Sequence, residues 1–129
     1  MSRWYLDASA ALKLVLDEPE SAALAETLDD AAPELVGTWL LETEMRRAAH
    51  RIGPLTQEMV SGVLQAVGLY EMPASVFREA GLLAGPGLRS LDALHLAAAV
   101  RIGVEHVVTY DERMARSAND LGLHVLAPT

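Results

Sequence analysis

The sequence predicts an α/β fold, a parallel sheet with helices on both faces. Three observations predict it. Short β-like runs alternate with helical patterns along the whole chain, as in strand–helix–strand units. Hydrophobic residues make up 51% of the 129 residues but aromatics only 5%, so Leu, Val and Ala must fill the core, as they do in helix-covered sheets. One helical segment, Leu91 to Ile102, is apolar on nearly every side, which implies burial.

The elements follow in order. Trp4-Tyr5-Leu6 reads as the first strand, and a helix from Ser9 to Leu16 stops near Pro19. A second helix covers Ser21 to Leu28, and Leu35-Val36-Gly37 is a short second strand. A long amphipathic helix, Leu40 to Arg51, ends at Gly53-Pro54, and Thr56 is a candidate cap for a helix over Gln57 to Ala66. Leu69 to Met72 is a third strand, with Pro73 leading into a helix over Ala74 to Leu83. Gly85-Pro86-Gly87 is a turn, and Ser90 opens the apolar helix. Val107-Val108 and Val125-Leu126 are strands flanking a helix from Glu112 to Leu121. No linker or repeat interrupts the pattern, so one domain over residues 1–129 is expected.

Composition narrows the function. The absence of cysteine rules out disulfides and thiolate–zinc sites and suits a reducing compartment. No apolar run approaches the roughly 20 residues of a membrane span, and Met1 to Trp4 lack the character of a signal peptide, so a cytoplasmic protein without a membrane partner is expected. A net charge of −8 argues against broad electrostatic capture of nucleic acid. It is compatible with acidic residues that hold divalent cations, since the cation supplies the positive charge.

Four carboxylates stand out. Asp7 directly follows the first strand and Asp111 follows Val107-Val108-Thr109 closely, at the strand ends where such folds keep their chemistry. Asp92 sits in the first turn of the apolar helix. On the Leu40–Arg51 helix, Leu41, Met45, Ala48 and Ile52 mark the buried stripe. Glu44 shares or borders that stripe, whereas Glu42 is rotated about 200° away and can pair with Arg46. Each acid also has a plainer reading. Asp7 and Asp111 could cap the helices that follow them, Asp92 could complement its helix dipole behind a Ser90 cap, and Glu44 could pair with Arg47. Converging carboxylates repel one another unless a cation relieves them, and an all-oxygen set suits Mg²⁺ or Mn²⁺ rather than zinc.

The motifs resemble those of PIN-domain ribonucleases, and among them the VapC toxins of type II toxin–antitoxin systems. Tyr5-Leu6-Asp7-Ala8-Ser9-Ala10 resembles the family's opening motif, Leu40 to Ala48 the motif carrying its helical Glu at Glu44, Leu91-Asp92-Ala93-Leu94-His95-Leu96-Ala97-Ala98-Ala99 its third acidic motif, and Val107 to Arg113 its fourth. The likeness spans essentially the whole chain. Thr38 stands where many relatives carry Ser, and Ala8 where Thr is common; neither removes a metal donor.

The resemblance implies a three-layer fold around a five-stranded parallel sheet of order 3-2-1-4-5, and Mg²⁺-dependent RNA hydrolysis leaving 5′-phosphate and 3′-hydroxyl ends. It implies Asp7, Asp92 and Asp111 as metal ligands, with Glu44 binding the metal directly or through water, or orienting the nucleophile. It also implies a homodimer held inactive by a cognate VapB-type antitoxin, whose basic segment would suit an acidic chain. Ser9 and Thr109 are candidate hydrogen-bond partners of the acids, and Arg113 a candidate phosphate contact. Arg46, Arg47 and Arg51 could steer phosphates but are expected to be solvated. His95 could bond the Asp92 carboxylate, but a satisfied core histidine is the favoured reading.

Other classes fit less well. A phosphoacceptor receiver domain needs a Lys on a late strand, and the only Lys is Lys13. A haloacid-dehalogenase-type phosphatase needs a second Asp where Ser9 stands. The remaining alternative is a catalytically silent PIN-like binding or scaffold module, which the intact acidic motifs weigh against.

Overall fold

The computed structural model describes residues 2–85 and 87–129. Strand β1 (Arg3–Leu6) leads to helices α1 (Ala8–Val15) and α2 (Ser21–Ala31), then β2 (Glu34–Thr38), α3 (Trp39–Arg51) and α4 (Gln57–Leu64). β3 (Gly68–Tyr70), α5 (Ala74–Leu82) and α6 (Ser90–Ile102) follow, and β4 (His106–Val108), α7 (Glu112–Asp120) and β5 (Val125–Leu126) complete the chain. The five strands form one sheet in the order β3-β2-β1-β4-β5. Every pairing is parallel.

Alternation along β1 sorts the core into two layers. Trp4 and Leu6 point to the side covered by α1, α2, α3 and α4, where they meet Ala10, Leu24, Leu41, Met45 and Val60. Tyr5, with Val36 and Val107, points to the other side, against Val76 of α5 and Ala93 and Ala97 of α6. Leu96 continues that side onto Met114 and Ala118 of α7. The α6 residues Ala93, His95, Leu96, Ala97, Ala98 and Ala99 are all buried, as expected for a helix without a polar face. Small alanines let α6 lie close to both the sheet and α5. Gly103, with φ of 78°, ends α6 in the left-handed region that glycine adopts freely.

Several boundaries shift from expectation. α2 runs on to Ala31 and α4 stops at Leu64. β3 occupies Gly68–Tyr70 instead of Leu69 to Met72, because its register ties Val36 to Gly68 and Thr38 to Tyr70, and β2 ends at Thr38. The expected Ser90 cap is not formed: Ser90 is the first helical residue, and Arg89 holds the cap position without a side-chain bond. Thr56 does cap α4, accepting from the Met59 N–H. The predicted turn at Gly85-Pro86-Gly87 includes Pro86, which lies outside the described residues. Among the described residues, no helix is long and apolar enough to cross a membrane.

Candidate active site

Parallel pairing lays the carboxyl ends of β1, β2 and β4 side by side. Tyr5 pairs with Val36 of β2 and Leu6 with Val108 of β4. Asp7, Thr38 and Thr109, the residues that follow or end these strands, therefore share one edge. All three are buried.

Asp7 leaves β1 in extended conformation and caps α1, its carboxylate accepting from the Ala10 N–H at 2.9 Å. The same Oδ1 accepts from the Ser9 hydroxyl at 2.7 Å. Its other oxygen, Oδ2, accepts a short hydrogen bond from Thr109 Oγ1. Burial raises the Asp7 carboxyl above its ordinary range, and bonds from Thr109, Ala10 and Ser9, followed by the charge of His95, act against that rise.

Ser9 and Thr109 tie this acid to the next. Ser9 Oγ accepts from the Tyr110 N–H at 2.8 Å, and Thr109 Oγ1 accepts from the Asp111 N–H at 3.1 Å. Asp111 in turn caps α7, its Oδ1 accepting from Arg113 N–H and Met114 N–H at 2.9 and 3.0 Å. The capping roles of Asp7 and Asp111 are thus real. Each cap uses one carboxylate oxygen; the second is held by Thr109 in Asp7 and has no partner among the described residues in Asp111.

Asp92 lies in the first turn of α6 and is half-buried. Burial first, then the negative charge of Asp111, raises its carboxyl; His95, Arg113 and Arg89 oppose the rise. The charges of Asp111 and Arg113 thus act on Asp92 in opposite senses. Among the described residues, no hydrogen bond occupies the Asp92 carboxylate.

Glu44 lies beside the buried stripe of α3, formed by Leu41, Met45 and Ala48. Its side-chain partner is His95, not Arg47. Oε1 meets His95 Nε2 at 2.6 Å, and His95 Nδ1 meets the Tyr5 hydroxyl at 2.6 Å. His95 is the satisfied core histidine expected, but it reaches Glu44 and not Asp92. The expected Glu42–Arg46 pair is absent among the described residues: Arg46 instead donates to the Gln57 carbonyl and side chain and to Ser61 Oγ on α4. Arg47 and Arg51 are exposed, and both border a cavity of about 370 Å³ that Glu44, Ala8, Leu12 and Leu91 also line.

The donor set is hard and all-oxygen, as Mg²⁺ or Mn²⁺ requires. Asp92 is unengaged, Asp111 Oδ2 and Glu44 Oε2 have no partner among the described residues, and Asp7 Oδ2 retains one lone pair beside the Thr109 bond. The raised carboxyls of Asp7 and Asp92 mark uncompensated negative charge that a cation would relieve. These residues fit a divalent ion in chemistry, although among the described residues no three Asp, Glu or His side chains already stand in a metal-cage arrangement.

The role of Tyr5 was not singled out by the sequence. A tyrosine on the helix-facing side of a buried strand, where its hydroxyl needs a partner, was the available signal.

A model of the PIN domain matches residues 4–120. The chain is 39% identical over 129 residues to ribonuclease VapC35 of Mycobacterium tuberculosis, covering 96% of each protein. It is also 39% identical over 131 residues to ribonuclease VapC46 of the same species, covering 100% of both. Its fold is similar to that of Mycobacterium tuberculosis VapC20, a sarcin-ricin loop cleaving toxin, with a TM-score of 0.71 and 13% identity over 88% of this chain and 94% of that one. It is similar as well to VapBC2 from Rickettsia felis, solved with a DNA fragment from its promoter, with a TM-score of 0.68 and 13% identity over 98% of this chain and 99% of that one. The two solved structures speak for the fold, and the closer sequence relatives for the group: the chain belongs to the PIN-domain family, among the VapC proteins.

Proposed function

We propose that this chain is an Mg²⁺-dependent endoribonuclease, with Mn²⁺ as a working substitute, and that it serves as the toxin of a VapB–VapC pair. The observation that carries the proposal is the linked edge at β1 and β4. There Asp7 is bridged through Ser9 and Thr109 to Asp111, whose charge acts on Asp92 in the first turn of α6. Identity of 39% to two named ribonucleases over nearly the whole chain supports the same reading.

In this reading Asp7, Asp92 and Asp111 hold the cation and Glu44 joins them directly or by orienting the attacking water. A divalent ion held there would acidify a water toward neutrality and offset charge on the departing oxygen. Ser9 and Thr109 fix the Asp7 carboxylate by bonding both of its oxygens. Arg113, whose charge acts on Asp92, would meet a substrate phosphate in this reading.

The net charge of −8 favours a basic antitoxin segment as the partner. A homodimer would cover the apolar groove in which Leu82 and Val100, 85% and 54% exposed, lie together.

The decisive experiment is cleavage of a mixed RNA substrate with Mg²⁺, with EDTA, and by Asp7→Asn and Asp92→Asn. Cleavage that requires Mg²⁺ and is lost in both variants is expected. Activity that survives chelation or either substitution would remove the mechanism, and a folded wild type that cleaves no RNA would leave the silent binding module in its place.

A further inference from the structure

His95 is the sole ionisable side chain buried within α6, on a helix otherwise packed with alanine and leucine. A polar ring there is costly unless both nitrogens are satisfied. Both are, and by partners from opposite layers: Tyr5, fully buried in β1, and Glu44, on α3 across the sheet edge. The Tyr5 hydroxyl lies 2.6 Å from Nδ1, within hydrogen-bond reach. A carboxylate only accepts, so Nε2 must carry the proton it shares with Glu44. The contacts form one continuous chain, from the Tyr5 hydroxyl through the two His95 ring nitrogens to Glu44 Oε1.

We propose that Tyr5 and His95 are positioning residues that hold Glu44 in the metal-facing orientation, a role resting on the divalent-ion reading above. Glu44 is otherwise a flexible side chain on a half-exposed face. Anchoring Oε1 restricts its rotamers and leaves Oε2, which has no partner among the described residues, free to bind. Tyr5 is fully buried in β1, and its ring packs edge-on against His95 with centroids 5.7 Å apart.

The test is a double-mutant cycle read on Mn²⁺ affinity by calorimetry and, separately, on RNA cleavage. Tyr5→Phe keeps the ring and removes the hydroxyl; it is expected to weaken Mn²⁺ binding roughly threefold to tenfold, and His95→Leu roughly tenfold or more. In a Glu44→Gln background Tyr5→Phe should have less than about a twofold effect, because its influence passes through Glu44. His95→Gln, whose amide can still donate to Glu44, should recover much of the affinity that His95→Leu loses. If the effects of Tyr5→Phe and Glu44→Gln simply multiply, the two residues act only on stability and the positioning role is overturned. If His95→Leu fails to fold, the Tyr5→Phe cycle and His95→Gln still decide. Mn²⁺ coupling without RNA cleavage by the wild type would keep the relay and overturn the nuclease reading, whereas Mg²⁺-dependent cleavage with multiplying effects would do the reverse.

Discussion

Thr109 donates its hydroxyl hydrogen to Asp7 Oδ2, 102 positions away in sequence, while Thr109 Oγ1 itself accepts from the Asp111 N–H. One buried hydroxyl thus joins the acids that end β1 and follow β4. Its geometry depends on the parallel pairing of Leu6 with Val108, so the sheet register and the candidate site are set by the same contacts.

Thr109→Val, close to isosteric, tests that coupling. It leaves Asp7 with one bond fewer to its charged form, which drives the carboxyl higher still, and frees the Asp111 N–H from its partner. Chemical denaturation should show a loss of about 1–2 kcal/mol, and Mn²⁺ titration a weaker affinity. Unchanged metal affinity would mean that Thr109 supports the fold without shaping the acidic edge.

Asp7→Asn should behave differently in metal-free buffer. The folded protein holds the Asp7 proton more tightly than the unfolded chain does, because burial raises the carboxyl above its ordinary value of 3.8. Its contribution to stability is therefore fully present below that value and is lost as pH rises through the raised folded pKa. Asparagine keeps the α1 cap and carries no charge to desolvate. The stability difference between variant and wild type, measured in EDTA, should shift in the variant's favour from pH 4 to pH 7. A flat difference, or one of opposite slope, would count against the buried charge.

Addition of Mn²⁺ should reverse the ranking. A ligand that binds only the folded state at a hundred times its dissociation constant stabilises by about 2.7 kcal/mol. The wild type should melt at a higher temperature with Mn²⁺ and return to its starting value with EDTA, while Asp7→Asn and Asp92→Asn show little response. Equal shifts in all three proteins would place the ion elsewhere.

Much of this was legible in the sequence because periodicity reports what is buried. The β1 segment, the apolar α6 and the α3 stripe all carried that signal, and β-strand ends located Asp7 and Asp111. Less legible were features decided by partners distant in sequence. Thr38 set where β3 ends, through its pairing with Tyr70. The last turn of α2, containing Asp29 and Asp30, is exposed and so gives no apolar rhythm. Arg46 had an acceptor four residues away in Glu42, yet the turn into α4 brought Gln57 and Ser61 within reach. His95 was visible as an anomaly on an apolar helix, but its partner was not, because Glu44 lies 51 positions earlier and on another element.

Those two glutamates on α3 give the sharpest remaining test of the site. Glu42 and Glu44 are two residues apart and so point about 200° from one another on the helix. Only Glu44 is tied to the buried histidine; Glu42, in the first turn, acts at most through the helix dipole. Glu44→Gln should lower RNA cleavage and Mn²⁺ affinity by roughly tenfold or more, the usual scale for a group that orients or joins a metal site. Glu42→Gln should change cleavage less than about twofold and stability by less than about 1 kcal/mol. Kinetics on both variants with one RNA substrate settles the comparison. An intact Glu44→Gln enzyme beside a disabled Glu42→Gln enzyme would mean that the opposite face of α3 meets the substrate, and that the His95–Glu44 bond serves packing alone.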